Sequence, residues 1–198
     1  MVKSSTLAPL IALALATGGL AACKKADNAT PAQSAEASSA ASAVGTKQTI
    51  ADAVGKDDNL KTFAGLVKDS GLDKTFAGVG DYTILAPTDA AWSKMPEAQR
   101  KALEDKANRP QLLAMLRQHV VTGYVTREDL DKALAKNAGA VTMATMGGAP
   151  VRLHRVGSDV VLGASDGGPR LAGSPLGARN GVIYPIDQVL PPPPAPAK

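Results

Sequence analysis

The spacing of apolar residues changes character at Gly139, and that change leaves few folds open to the chain. Upstream the spacing is helical. In DDNLKTFAGLVKDS, Leu60, Phe63, Leu66 and Val67 share one helix face, and Gly71 then breaks the run before Leu72 and Phe76 begin another turn. PQLLAMLRQHV sets Leu112, Leu113, Leu116 and Val120 along one side. It opens at Pro110 as PEAQRKALEDK opens at Pro96, both at a helix start where a missing N–H is harmless. Thr49 with Asp52, and Thr126 with Asp129, have capping-box spacing. Glu128 and Lys132 form an i, i+4 pair. YTIL at 82–85 is a short β-prone run that Pro87 ends; Thr88 or Asp89 then caps the helix carrying Ala90, Ala91 and Trp92. Downstream of Gly139, VTMATM, PVRLHRV, DVVLGA and GVIYPIDQVL are β-prone runs between Gly-rich turns. Helices early and strands late predict an α+β fold rather than an alternating one.

The patterned region has clear limits. Residues 24–46, KKADNATPAQSAEASSAASAVGT, are small and polar, without the apolar surface that would offset the entropy of ordering them. They read as a flexible tether. The terminal PPPPAPAK is not globular either and should be extended, in a polyproline conformation. One domain therefore spans 47–192, with a tail at 193–198. Aromatic residues are only 3% of the chain, so its core must be mainly aliphatic.

Residues 1–22 form a secretory leader: Lys3, an apolar run from Leu7 to Leu15, then small residues. The run is shorter than the ~20 apolar residues a stable membrane span needs. The one cysteine, Cys23, has no partner for a disulfide and no second thiol for a metal site. It closes the tetrad Leu20-Ala21-Ala22-Cys23, which resembles the bacterial lipobox. The resemblance implies cleavage between Ala22 and Cys23 and lipidation of Cys23, and two or more acyl chains give stable anchoring. Lys24 follows, where an Asp would hold an enteric lipoprotein at the inner membrane. The expected location is the cell envelope, lipid-anchored, at the outer membrane facing the periplasm or the exterior.

Several functional classes lose support. The net charge is only +4, and the basic residues are interspersed with acids, so no patch follows a nucleic-acid backbone. Gly163-Ala164-Ser165-Asp166-Gly167 matches G-x-S-x-G, but Gly168-Pro169 follows where a nucleophile elbow needs a helix, and no His comes after residue 154. A Gly-rich turn is the better reading, and no catalytic residue is assigned. His119 and His154 are the only histidines, without zinc-type spacing, so no metal and no cofactor is expected. His154 should face solvent; His119, ending an apolar helix, should be a buried or half-buried hydrogen-bonding residue. Asp57-Asp58 reads as a solvated N-terminal helix turn. Trp92 reads as core.

Three collinear blocks resemble the fasciclin domain family. They are GDYTILAPTDAAW (80–92), LLAMLRQHVVTGYVTREDL (112–130) and ARNGVIYPIDQVLPP (178–192). The resemblance implies a wedge of two packed β-sheets with several helices, mostly from the N-terminal half, and a non-enzymatic binding and adhesion module. His119, Tyr184 and Asp89, which stand in these blocks, are the candidate binding residues. Asn180-Gly181 should make a tight turn and VIYPIDQVL a long strand, with Pro185 at an edge or bulge. Two departures matter. A Tyr-His pair linked to integrin recognition in some animal members is Gln118-His119 here. An integrin-linked Asp-Ile pair is replaced by Pro175-Leu176, so the acid is missing. The implied partner is a protein or glycan surface; the alternative is a small ligand held in a pocket of the same domain.

Overall fold

The computed structural model describes residues 47–191. The leader, Cys23, the tether and the tail at 193–198 lie outside the described residues. Helices α1 (Ile50–Lys56), α2 (Lys61–Ser70) and α3 (Asp73–Ala77) come first. Strand β1 (Tyr82–Pro87), helices α4 (Asp89–Ser93), α5 (Glu97–Glu104) and α6 (Arg109–Gln118), strand β2 (Val120–Thr122) and helix α7 (Arg127–Lys136) follow. The remainder is β-structure: β3 (Ala140–Met143), β4 (Val151–Val156), β5 (Asp159–Leu162), β6 (Leu176–Ala178) and β7 (Gly181–Ile186).

The helix starts follow local chemistry. Both capping boxes form, with Thr49 and Asp52 on α1 and Thr126 and Asp129 on α7. The choice between Thr88 and Asp89 divides between two helices. Thr88 Oγ1 accepts the Ala91 N–H and caps α4. The Asp89 carboxylate accepts the Thr62 N–H at 2.8 Å, in the first turn of α2, where the negative charge also suits the helix dipole. Gly71 ends α2 at φ +80°, a left-handed cap that favours glycine.

The strands form two sheets, ordered β2-β1-β7-β6 and β3-β4-β5. β1 and β7 pair in parallel from Tyr82↔Gly181 to Pro87↔Ile186, which sets the first strand against the last. Side chains alternate across this pair. Ile84, Ala86 and Ile183 face a core shared with Ile50, Phe63, Phe76, Trp92 and Leu116 of the helices. Leu85, Val182, Tyr184 and Ile186 face a second core, shared with Leu130 and Leu134 of α7 and with Leu153 and Leu162 of the other sheet. The central strands are thus covered on both faces, which is why they read as continuous apolar runs. The chain leaving β3 crosses to the other sheet: Thr122 donates to the Ala144 carbonyl at 3.2 Å and Met146 to that of Val120 at 2.8 Å.

Four expectations change. α6 stops at Gln118, so Val120 belongs to β2, and Met115 fills the interior place on the helix. β7 ends at Ile186, because the Asp187 carboxylate turns to accept the Arg170 N–H at 2.7 Å. β6, with only Leu-Gly-Ala, is an additional strand. His154 is largely covered rather than solvent-facing, and one ring nitrogen meets the turn after β5. Pro185 sits on an interior strand, but β6 pairs only as far as Ile183. Past that point the Pro185 carbonyl accepts from Ala172 at 2.8 Å, and the ladder loses no donor there.

Asn180 ties these parts together. Its Oδ1 accepts the Ile50 N–H at 2.9 Å, and its Nδ2 donates to the carbonyls of Phe76 at 2.8 Å and Gly78 at 3.0 Å. The Tyr82 N–H donates to its main-chain carbonyl at 3.2 Å. Gly181 beside it leaves room for this approach, since a Cβ there would lie 2.6 Å from Ile50 Cδ1 and would overlap the Tyr82 carbonyl oxygen. Asn180→Ala strands one buried donor and two acceptors, and should lower the unfolding free energy by roughly 2–4 kcal/mol. Urea unfolding of wild type and variant measures it; an unchanged midpoint would refute the role.

Candidate functional site

A groove of about 850 Å³ opens on the helical flank. One wall is Met95, just beyond α4, with Gln99, Ala102 and Leu103 of α5. The second is Gln111, Ala114 and Met115 of α6, and the third is the chain after β7, Val189 to Pro191. The groove exists because α5 fits loosely. That helix carries a Glu97–Lys101 ion pair at 2.7 Å on its exposed side and buries none of its residues. Leu103 rests half-buried against the helical core, and Asn108 Nδ2 donates to the Ala102 carbonyl at 2.9 Å.

His119 stands behind two of these walls. Its ring is fully enclosed. Nδ1 lies 2.8 Å from the Met115 carbonyl, and Nε2 accepts the Leu190 N–H at 3.0 Å. An N–H aimed at Nε2 requires that nitrogen to be bare, so the proton is on Nδ1 and goes to Met115. One neutral tautomer thereby joins α6 to the chain after β7. Burial pulls the His119 pKa down to about 4, against a weaker opposing effect of the Met115 carbonyl. This matches the sequence reading of a buried hydrogen-bonding residue.

The other candidates are equally engaged. Tyr184 lies between the sheets and donates to the Val125 carbonyl at 3.0 Å, and burial pushes its phenol above the usual range. Asp89 caps α2. The groove is lined by none of His119, Tyr184 and Asp89. Gln118 is interior too: Nε2 donates to Ala149 at 2.8 Å and Oε1 accepts from Thr145 at 3.2 Å, clamping the β3–β4 loop. Pro175 immediately precedes the edge strand β6 and offers no carboxylate.

The G-x-S-x-G segment is a turn region after β5, with Gly163 at φ +99°. It places Asp166 Oδ1 3.1 Å from His154 Nε2, so the His154 ring, largely covered on β4, keeps one nitrogen at a polar contact with this exposed turn. Trp92 is core, 2% exposed. Among the described residues no group of three or more His, Cys, Asp and Glu could hold a metal ion. The groove itself had no sequence signal. α5 has an ordinary amphipathic pattern, and only the packing shows what it leaves unfilled.

The family model of the fasciclin domain matches residues 58–192. The chain belongs to the fasciclin domain family. Protein sll1483 of Synechocystis sp. is 27% identical over 95% of this chain and 98% of its own length. Immunogenic protein MPB70 of Mycobacterium bovis is 32% identical over 58% of this chain and 51% of its own. Transforming growth factor-beta-induced protein ig-h3 of Sus scrofa is 28% identical over 68% of this chain, but only 18% of its own length. Among solved structures, a FAS1 domain pair from the insect cell adhesion molecule Fasciclin I aligns with a TM-score of 0.55 at 17% identity, covering 73% of this chain and 51% of that one. That likeness concerns the fold, and the mixed α+β arrangement of two sheets in this fasciclin domain agrees with it.

His119 gives a pH test. Its folded pKa, about 4, lies below the ordinary value of 6.5, so the unfolded chain binds the proton more readily. Stability from this group is complete above pH 6.5, falls as the pH drops toward 4, and is lost by about 3 kcal/mol below that. Urea unfolding at pH 7, 5 and 4 should follow this trend, and His119→Gln should flatten it. An identical pH slope in that variant would rule out His119 as the source.

Proposed function

We propose that this chain is a lipid-anchored protein of the cell envelope whose fasciclin domain mediates adhesion to a protein or glycan surface, without catalysis. Family membership over 58–192 carries the reading. Support for an adhesive role comes from the fold likeness to an insect cell adhesion molecule. Support for the anchor comes from the tetrad ending at Cys23. Acylation at Cys23 would supply membrane affinity at about 0.8 kcal/mol per buried CH₂. The outer membrane is the proposed address, from Lys24. Pro175, in place of the acid, argues against recognition through an integrin-type acidic side chain, and Gln118 replaces the Tyr of the other integrin-linked pair.

A second reading, capture of a small apolar ligand, is favoured by the groove, whose volume falls in the range of small-molecule sites. Native mass spectrometry of the purified chain tests it through co-purified mass. For the first reading, wild type and Cys23→Ser are fractionated side by side. Wild type should partition with membranes, and the variant should leave them or keep its leader uncut. Cell-surface aggregation should fall in the same variant. A normally processed Cys23→Ser protein that stays wholly in the membrane pellet would sink the anchor, and unchanged aggregation on deleting the gene would sink the adhesive role.

A further inference from the structure

Of the five asparagines in the chain, Asn180 alone is followed by glycine. That order is the one most open to self-modification in water. The Gly181 backbone nitrogen, unshielded by a side chain, can attack the carbonyl carbon of the Asn180 side chain. A five-membered succinimide forms, and the side-chain nitrogen leaves as ammonia, taking the Gly181 N–H proton with it. Water then opens the ring at either carbonyl. The products are aspartate and isoaspartate, the latter with the main chain rerouted through the side chain.

The fold restrains both partners of this reaction. Asn180 is 4% exposed, and its amide is held by the Ile50 N–H and the carbonyls of Phe76 and Gly78. Gly181 is set in the sheet, opposite Ala178 on one side and Tyr82 on the other. Ring closure requires the side chain to leave all three bonds and water to enter. Yet the fold cannot dispense with the reactive order, because a Cβ at Gly181 would overlap the Tyr82 carbonyl oxygen. Either product spoils the junction. An aspartate can still accept the Ile50 N–H, but its second oxygen has no proton for Phe76 and Gly78 and leaves a buried charge against two carbonyls. Isoaspartate adds a carbon to the main chain immediately before β7 and disturbs its register with β1. We propose that Asn180-Gly181 is a self-deamidation site that folding protects, so that a chain left open loses its ability to refold. This goes beyond the adhesive reading and does not depend on it.

Peptide mass mapping of the full chain tests this, with digestion in mild acid, where ring closure is slow. Samples are held in mildly alkaline buffer, with and without guanidinium chloride. In denaturant Asn180 should lose its amide faster than Asn28, Asn59, Asn108 and Asn137. In native buffer its loss should be at least ~100-fold slower, because only the open fraction reacts. On dilution, chains that have reacted should fail to recover the native Trp92 fluorescence, while chains unfolded only briefly recover it. Asn180→Asp, made directly, should unfold at lower denaturant than wild type. An even loss across the five asparagines in denaturant would overturn the proposal. So would a smaller difference in rate between the two buffers, since the fold would then give no protection. Reacted chains that refold with the wild-type midpoint would overturn it as well.

Discussion

Asn180 uses its whole side-chain amide inside the core, at the point where the last strand joins the sheet. Its acceptor holds the first turn of α1, its two donated bonds hold the chain leaving α3, and its own carbonyl receives the start of β1. The parallel pairing of β1 with β7 depends on that junction. The helices before β1 can cover one face of the sheet only if α1 and α3 are brought to the edge where β7 begins. A glycine must follow, because the Tyr82 backbone and Ile50 occupy the space a side chain would need. The cost of leaving any of these buried groups unpaired is what makes the junction strict.

A four-stranded sheet covered on both faces has little free surface for function. The helices before β2 take one face, and α7 with the smaller sheet takes the other, so recognition passes to the flanks and loops. The positions that resemble functional ones of animal relatives illustrate this. Gln118 and His119 are inside, holding a loop and a chain segment. The helical flank differs, because α5 contributes contact without burial and leaves an apolar groove beside it.

Features decided within a few residues were legible in the sequence. The Thr49–Asp52 and Thr126–Asp129 caps and the Gly71 stop depend on neighbours three or four positions away, and each formed as read. Val120 carries a misleading signal: its apolar spacing continues the helix while the backbone has already turned at His119. β6 has no sequence signal, because Leu-Gly-Ala has too little side-chain pattern to declare a strand. Asn180 does stand in the turn between β6 and β7 that its sequence indicates, but its side-chain partners lie 102 to 130 positions away and have no local signal. Asp89 has the chemistry of a cap, but the N–H it accepts, that of Thr62, lies 27 residues earlier. The groove was illegible for another reason: it is space left by a loosely seated helix, and no residue type announces that.

The contacts at the start of the domain have a mechanical consequence. Gln48 accepts the Arg179 N–H at 3.0 Å, and the next bond inward joins Ile50 to Asn180. Tension between residue 47 and a partner gripping the domain elsewhere would first reach 179–180, the lead-in to β7. β7 is an interior strand, bonded to β1 along six paired positions. Such a strand resists being drawn out because several ladder bonds must break together, whereas an edge strand can peel away one bond at a time. The fold therefore delivers a pull from its N-terminal side to its best-bonded strand.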